Sequence, residues 1–449
     1  MGKPSDVRVT HAAMTFRHER LAVPLHLSKG VIEEITYAQA TVQGITRDGR
    51  PVQGTGAILL SDLWAFPHPL LSHEQKDRAM RLLCQQLAET LSHDGEYADP
   101  LEKGLALAQT LPILTRRVEE ALPELPAGSM PRLAAMNCLA PLDAAIHDAW
   151  GRGLGGEVYD FYSSTWLNRD LGSYLGPGFQ GHFPADFLAG RRRRLGVQHV
   201  VGLGDPLWPQ ESESSTCAPG LPAHLVGWIR RDGVANFKIK TRGTDPEEDA
   251  RRIASVYRVA VQAGLSPALV RLSIDPNEGC PDDIFLLEML HCLALHAPDA
   301  YGALDYIEQP TPRDLAAYTF TLHRVAARKP VIVDESLDCL EALRLLEELG
   351  WSGLALKTCK GQTHCLLAYC WAKRHGLYVT CQDLTNPGLA LVHSVNLCTR
   401  LDLSVDYLEC NQRQYMPAAC PEERQRFPHH FTLQGGCLVL PAQPPLGLY

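Results

Sequence analysis

The stretch VANFKIKTRG at 234–243 sets two lysines, Lys238 and Lys240, two positions apart in a run that otherwise reads as a buried strand. Side chains two apart on a strand share a face. Taken alone, the pair is accounted for by an edge strand with a solvated lysine face. Four further runs change that reading. RLSIDPNEG carries Asp275 and Asn277, LDYIEQPT carries Glu308, VIVDESL carries Asp334 and Glu335, and LALKTCKG carries Lys357 and Lys360. A single acid at such a place can cap a helix or fix a turn. Three acids closing consecutive strands are another matter, because converging carboxylates repel by kilocalories at an effective dielectric of ~20. A hard divalent cation relieves that repulsion, and an all-oxygen donor set suits Mg²⁺, or Mn²⁺, better than zinc. Lysines on both flanks then make sense if an anion binds between them.

The elements around these runs are readable. The first ~65 residues predict antiparallel strands, with a turn at Arg47, Asp48 and Gly49. Helical spacing follows over 73–91, 105–121 and 131–150. From about 197 the texture alternates, with apolar runs ending near 203, 240, 275, 308, 334, 357, 382 and 410, each separated by a helix-length segment. Eight such units predict a (β/α)8-type barrel, an α/β fold whose strand ends share one chemically active rim. A doubly wound open sheet is the alternative, but no GxGxxG follows a first strand here. The expected organisation is an N-terminal α+β capping domain at 1–155, a barrel at 156–410, and a C-terminal segment at 411–449 returning toward the cap.

Composition narrows the class. A net charge of −9 disfavours nucleic acid and anionic membranes as partners. The one basic block, Arg191 to Arg194, reads as a solvated loop. No apolar run approaches the ~18 residues that cross a bilayer, and the opening MGKPSDVRVT has no apolar signal core. Fourteen cysteines without a CxxC pair fit reduced thiols, so a cytoplasmic protein is expected. The polar insertion at 205–219, with its ESESS core, predicts a mobile lid or a tolerated surface loop.

The ordered set KxK, DxN, EQP, DES and LKxxKG resembles the enolase superfamily, closest to its muconate-lactonizing enzyme/mandelate racemase branch. The similarity spans most of the chain, since TFRHERLAVPLHLSKG resembles the family's capping domain and APLDAAIHDAWGRGLGG its helix leading into the barrel. The resemblance implies Asp275, Glu308 and Asp334 as metal ligands, with Glu335 the alternative third ligand. It implies Lys240 and Lys357 as acid/base residues, Lys238 as the lysine that holds the substrate carboxylate, and Asn277 and Glu335 as supporting residues. Lys360 is read as structural. One departure is instructive. Mandelate-racemase-type members use a histidine near the seventh strand, and GLYVTCQDLTNPG has none at its end, since His375 precedes the strand and His393 follows in the next helix.

The chemistry so implied is removal of a proton α to a carboxylate, through an enediolate, with Mg²⁺ and Lys238 at the developing charge. Two opposed lysines imply a racemase or epimerase, and one working base implies a dehydratase or cycloisomerase. A Schiff-base aldolase on Lys357 and a non-catalytic binding barrel are the remaining alternatives. The base must be neutral near pH 7. Lys238, two residues away, disfavours a protonated Lys240 by ~2.5 kcal/mol at a dielectric near 20. The expected partners are a small carboxylate substrate and further copies of the chain, as a homo-oligomer.

Overall fold

The computed structural model describes residues 2–27, 30–212, 218, 220–383 and 385–449. Three long strands open the chain, β1 (Val7–Leu27), β2 (Gly30–Thr46) and β3 (Pro51–Leu59), antiparallel in the order β1-β2-β3. Gly49, with φ at +90°, makes the expected turn between β2 and β3. Five helices follow: α1 (Asp62–Ala65), α2 (His73–Ser92), α3 (Pro100–Gln109), α4 (Leu111–Ala121) and α5 (Arg132–Leu154). Ser72 and Gln75 close α2 with a reciprocal capping box, and Asp99 caps α3. The single helix expected over 105–121 is two. Pro112 has no N–H to continue the ladder, and Thr110 turns its hydroxyl onto the Leu107 carbonyl at 2.7 Å.

β3 lies directly on α5. A Cβ on Gly56 would stand 2.0 Å from the Pro141 carbonyl oxygen, and one on Gly54 2.2 Å from that of Ala145. Only glycine permits that approach, which is why α5 is buried along nearly its whole length.

Eight parallel strands then close on themselves: β4 (Arg194–Val201), β5 (Asn236–Lys240), β6 (Arg271–Asp275), β7 (Leu304–Glu308), β8 (Val331–Val333), β9 (Gly353–Lys357), β10 (Tyr378–Gln382) and β11 (Tyr407–Glu409). Pairing of β11 with β4 completes the barrel and excludes the open sheet. β4 ends two residues before the expected position, where the Gly202 N–H donates to Asp205 Oδ2. Midway down the barrel, Tyr306 donates to Gln198 and Gln198 to Ser273, forming a polar and aromatic floor beneath the rim.

A C-terminal hairpin, β12 (Leu433–Gln434) and β13 (Cys437–Val439), lays β13 antiparallel on the first half of β4. The final residues reach α5, where the Leu448 N–H donates to Asp148 at 3.0 Å. The arginine block is not freely solvated. Arg191 and Arg193 donate to the carbonyls of Pro441 and Leu440, and Arg192 pairs with Asp406. Of the polar insertion, 213–217 and 219 lie outside the described residues, so the expectation of a lid is not addressed there. Among the described residues no helix is long and apolar enough to cross a membrane.

Gly56→Ala is expected to lower unfolding free energy by about 1–3 kcal/mol, because its methyl meets backbone. Gly302→Ala, at a helical position with open space around it, is expected to be neutral or stabilising. Denaturant unfolding of the two variants checks the contrast.

Candidate active site

The residues singled out in the sequence meet on one rim. Lys238 is 1% exposed, and its Nζ donates to Glu308 at 2.7 Å and Glu409 at 2.8 Å, with Asp275 at 3.0 Å. Lys240, one step nearer the solvent, donates to Asp275 at 2.5 Å and to Asn277 Oδ1 at 2.6 Å. Lys357 donates to Asp334 at 2.6 Å and stands 3.7 Å from Glu308. Lys360 is buried beside it, on the carbonyl oxygen of Asp334 at 2.5 Å and its carboxylate at 3.2 Å. Ammonium and carboxylate groups therefore alternate from β5 to β9.

Backbone geometry holds the row in place. Asn277, Glu278 and Gln309 all have positive φ, at 44°, 67° and 29°. These unfavourable conformations sit immediately after β6 and β7, where the chain must turn acids inward. Gln309 also latches two strands together. Its Oε1 accepts from the Asp334 and Ser336 N–H groups, and its Nε2 donates to Ser336 Oγ and the Thr311 carbonyl.

Burial and neighbours drive the carboxyl groups apart. Burial pushes Asp275 upward, but Lys238 and Lys240 outweigh it and hold the group down to about 2. Asp334 is likewise held well below the usual range, burial being overcome by Lys357 and Lys360. Burial lifts Glu308 to about 7 against the pull of Lys238. Burial, with Asp334 and Asp275 nearby, lifts Glu335 to about 8. Lys357 is raised, because Asp334 outweighs the opposite effect of burial. The repulsion of Lys240 by Lys238 needs correction. The Lys238 ammonium touches three carboxylates, so its charge does not act on its neighbour uncompensated.

Three contributors were missed in the sequence. Glu409, ending β11, holds Lys238, and Gln382, ending β10, donates to Glu308 at 2.6 Å. Their position at strand ends was the available signal. Trp64 on α1 reaches across from the cap, donates its indole N–H to Glu335 at 3.0 Å, and sets its ring 5.1 Å from Lys357 Nζ. Nothing in the local sequence marked it. Asn277 Nδ2 donates to the same Glu335 oxygen at 3.3 Å. The histidines weighed in the sequence stand elsewhere. His375 stacks on Trp371 and His393 bonds Gln362.

Among the described residues no three acidic, histidine or cysteine side chains already surround a common metal position, since the lysines are interleaved with the acids. The donor chemistry nonetheless fits a hard cation. Asp275 and Glu308 share Lys238, Glu308 and Asp334 share Lys357, and Glu335 keeps one buried carboxylate oxygen without a partner among the described residues. The carboxylate oxygens of Asp275, Glu308 and Asp334 are the donor type that would suit a divalent ion.

A family model described as enolase C-terminal domain-like matches residues 221–449. The chain belongs to that family. Within the enolase superfamily it falls with the muconate-lactonizing enzyme/mandelate racemase group. Solved superfamily structures share its fold over nearly their whole length. Muconate lactonizing enzyme from Pseudomonas fluorescens, complexed with muconolactone, is 18% identical, with 99% of this chain and 97% of that one covered and a TM-score of 0.60. The L-Ala-D/L-Glu epimerase from Bacillus subtilis is 15% identical, covers 98% of each chain and gives 0.62. Dipeptide epimerase from Enterococcus faecalis, complexed with Mg and L-Leu-L-Tyr, is 13% identical over 98% and 99%, at 0.59. No curated protein matches.

In this superfamily chain, burial pushes the His393 imidazole down to about 3. An unfolded histidine takes a proton below ~6.5, and the folded one does not until far lower. Its stabilising contribution is therefore intact above that pH and falls as the pH drops toward 3. His393→Gln should flatten the loss by up to ~1.4 kcal/mol per pH unit, read from denaturant unfolding between pH 6.5 and 4.

Proposed function

We propose that this chain removes and returns a proton α to the carboxylate of a small substrate, as a racemase or epimerase with two opposed lysines. The observation that carries the reading is the placement of Lys240 and Lys357. They leave β5 and β9, half a barrel apart, and end on Asp275 and Asp334 at 2.5 and 2.6 Å. A substrate carbon between them would meet one amine on each face.

Each lysine has a role by its surroundings. Lys240 keeps a quarter of its side chain exposed, against 5% for Lys357. A neutral Lys240 takes the α-proton, the electron pair moves into the carboxylate, and the enediolate forms. Asp334 favours the ammonium form of Lys357, which then delivers a proton to the opposite face and inverts the carbon. Lys238, fixed by three acids, lends positive charge where the enediolate oxygens gain negative charge. Asn277 orients Lys240, and Glu335, held by Trp64, borders Lys357. Asp275, Glu308 and Asp334 would hold Mg²⁺, which when bound supplies further positive charge to the substrate carboxylate.

The difference in exposure favours a second reading, in which Lys240 alone is the base and the reaction is a dehydration or cycloisomerisation. Two structural relatives are epimerases and one is a muconate lactonizing enzyme, so both outcomes have precedent in this fold.

A library of small carboxylates, incubated with the chain and Mg²⁺ in D₂O, should include one that takes up α-deuterium. With that substrate, Lys240→Ala should stop exchange from one enantiomer and Lys357→Ala from the other, each by about 10²–10⁴. Loss of both exchanges in one variant, with the other fully active, replaces the two-base reading with the one-base one. Calorimetry of Asp275→Asn and Glu308→Gln should show lost Mg²⁺ affinity with an unchanged circular dichroism spectrum. Full Mg²⁺ binding in both would remove the ligand assignment.

A further inference from the structure

Trp64 carries the capping domain into the rim. Its helix α1 has only four residues, so its position must come from its anchors. Asp62, 1% exposed, pairs with Lys76 on α2 at 2.7 Å, and the Ser61 N–H donates to Asn137 on α5 at 3.1 Å. From the barrel, Arg313, itself held by Glu278 of the loop after β6, reaches the Trp64 carbonyl oxygen at 3.5 Å. Tied from both domains, the indole stands on a fixed post.

The edge and the face of the indole take different partners. Its N–H donates to Glu335 Oε1 at 3.0 Å. The same oxygen accepts from Asn277 Nδ2 at 3.3 Å, and Asn277 Oδ1 accepts from Lys240 Nζ at 2.6 Å. Hydrogen bonds thus run unbroken from Trp64 to Lys240. The face takes the other lysine. Lys357 Nζ stands over it, 5.1 Å from the ring centre, and Lys360 Nζ at 5.8 Å, both within reach of cation–π attraction.

Either contact alone would be a detail of packing. Together they put one side chain of the cap behind both lysines, and a displacement of about 1 Å at a reacting group costs on the order of 10²-fold in rate. Asn277 is exposed, so its amide depends on such partners for a fixed orientation.

We propose that Trp64 is a positioning residue for both proton-transferring lysines, its N–H setting Lys240 through Glu335 and Asn277 and its π-face setting Lys357 directly. The assignment rests on the two-lysine reading of the site.

Trp64→Phe keeps an aromatic face and removes the N–H, whereas Trp64→Leu removes both. With a substrate that exchanges its α-proton in D₂O, Trp64→Phe should slow exchange from the enantiomer that Lys240 deprotonates by about tenfold, the effect of losing one hydrogen bond to a charged partner. Exchange from the other enantiomer should be unchanged. Trp64→Leu should slow both, so that phenylalanine rescues the Lys357 side alone. Circular dichroism establishes folding. A second measurement needs no substrate. In NMR of the full chain with isotope-labelled indoles, the Trp64 Nε1–H resonance, assigned by its disappearance in Trp64→Phe, should move in Glu335→Gln and in Lys240→Ala. It should stay in place in Lys373→Ala, whose lysine pairs with Asp402. If Lys240→Ala and Lys357→Ala do not separate the enantiomers, the two-lysine reading falls, and the resonance alone decides whether Trp64 sets Lys240. Equal slowing of both exchanges by Trp64→Phe, full activity in Trp64→Leu, or a resonance indifferent to Lys240→Ala would each overturn the proposal.

Discussion

Everything at the rim depends on one constraint: like charges cannot be buried together without opposite charges placed between them. From β5 to β9 the chain buries Lys238, Lys357 and Lys360 among Asp275, Glu308 and Asp334. No member is compensated by a residue from its own strand alone. Lys238 on β5 needs acids from β6, β7 and β11, and Lys357 on β9 needs the acid that follows β8. Removing one partner from such a network leaves an uncompensated buried charge. Strand register, barrel closure and the Gln309 latch are thus conditions for the charges to coexist, and the charges in turn specify that register.

The same constraint explains why the carboxyl groups differ. Asp275 and Asp334 each contact two lysines and stay ionised, whereas Glu335, buried beside Asp334 with hydrogen-bond donors in place of cations, is pushed up to about 8. The cap takes part in this arrangement. Trp64 supplies both a hydrogen-bond donor to Glu335 and a π-face to Lys357, and α1 is held over the barrel by Arg313 bonding the Trp64 carbonyl. The close contact of β3 on α5 keeps the capping sheet in register with that helix.

Much of this was legible in the chain. The barrel was readable because buried parallel strands are short, apolar and separated by helices, and seven of the eight strand ends fall within a residue of where the apolar runs stop. The set of lysines and acids was readable because they close those runs. Less legible were features with no local signature. Pro112 breaks one expected helix into α3 and α4, where helical spacing alone ran on. Trp64 reaches Glu335 and Lys357 from α1, and nothing in its own stretch of chain marked it.

The sequence by itself determined the fold class and which residue types stand at each strand end, because both follow from local periodicity and from the order of motifs. Only the tertiary structure decided how those charges pair. Lys238 turned out to be shared among three acids, a pairing that the two lysines in isolation do not suggest. Trp64 and Glu409 entered the site from segments far away along the chain, about 271 and 171 positions from the residues they touch. Coulomb interactions depend on distance in space and on what is buried between, and neither quantity is written in sequence spacing.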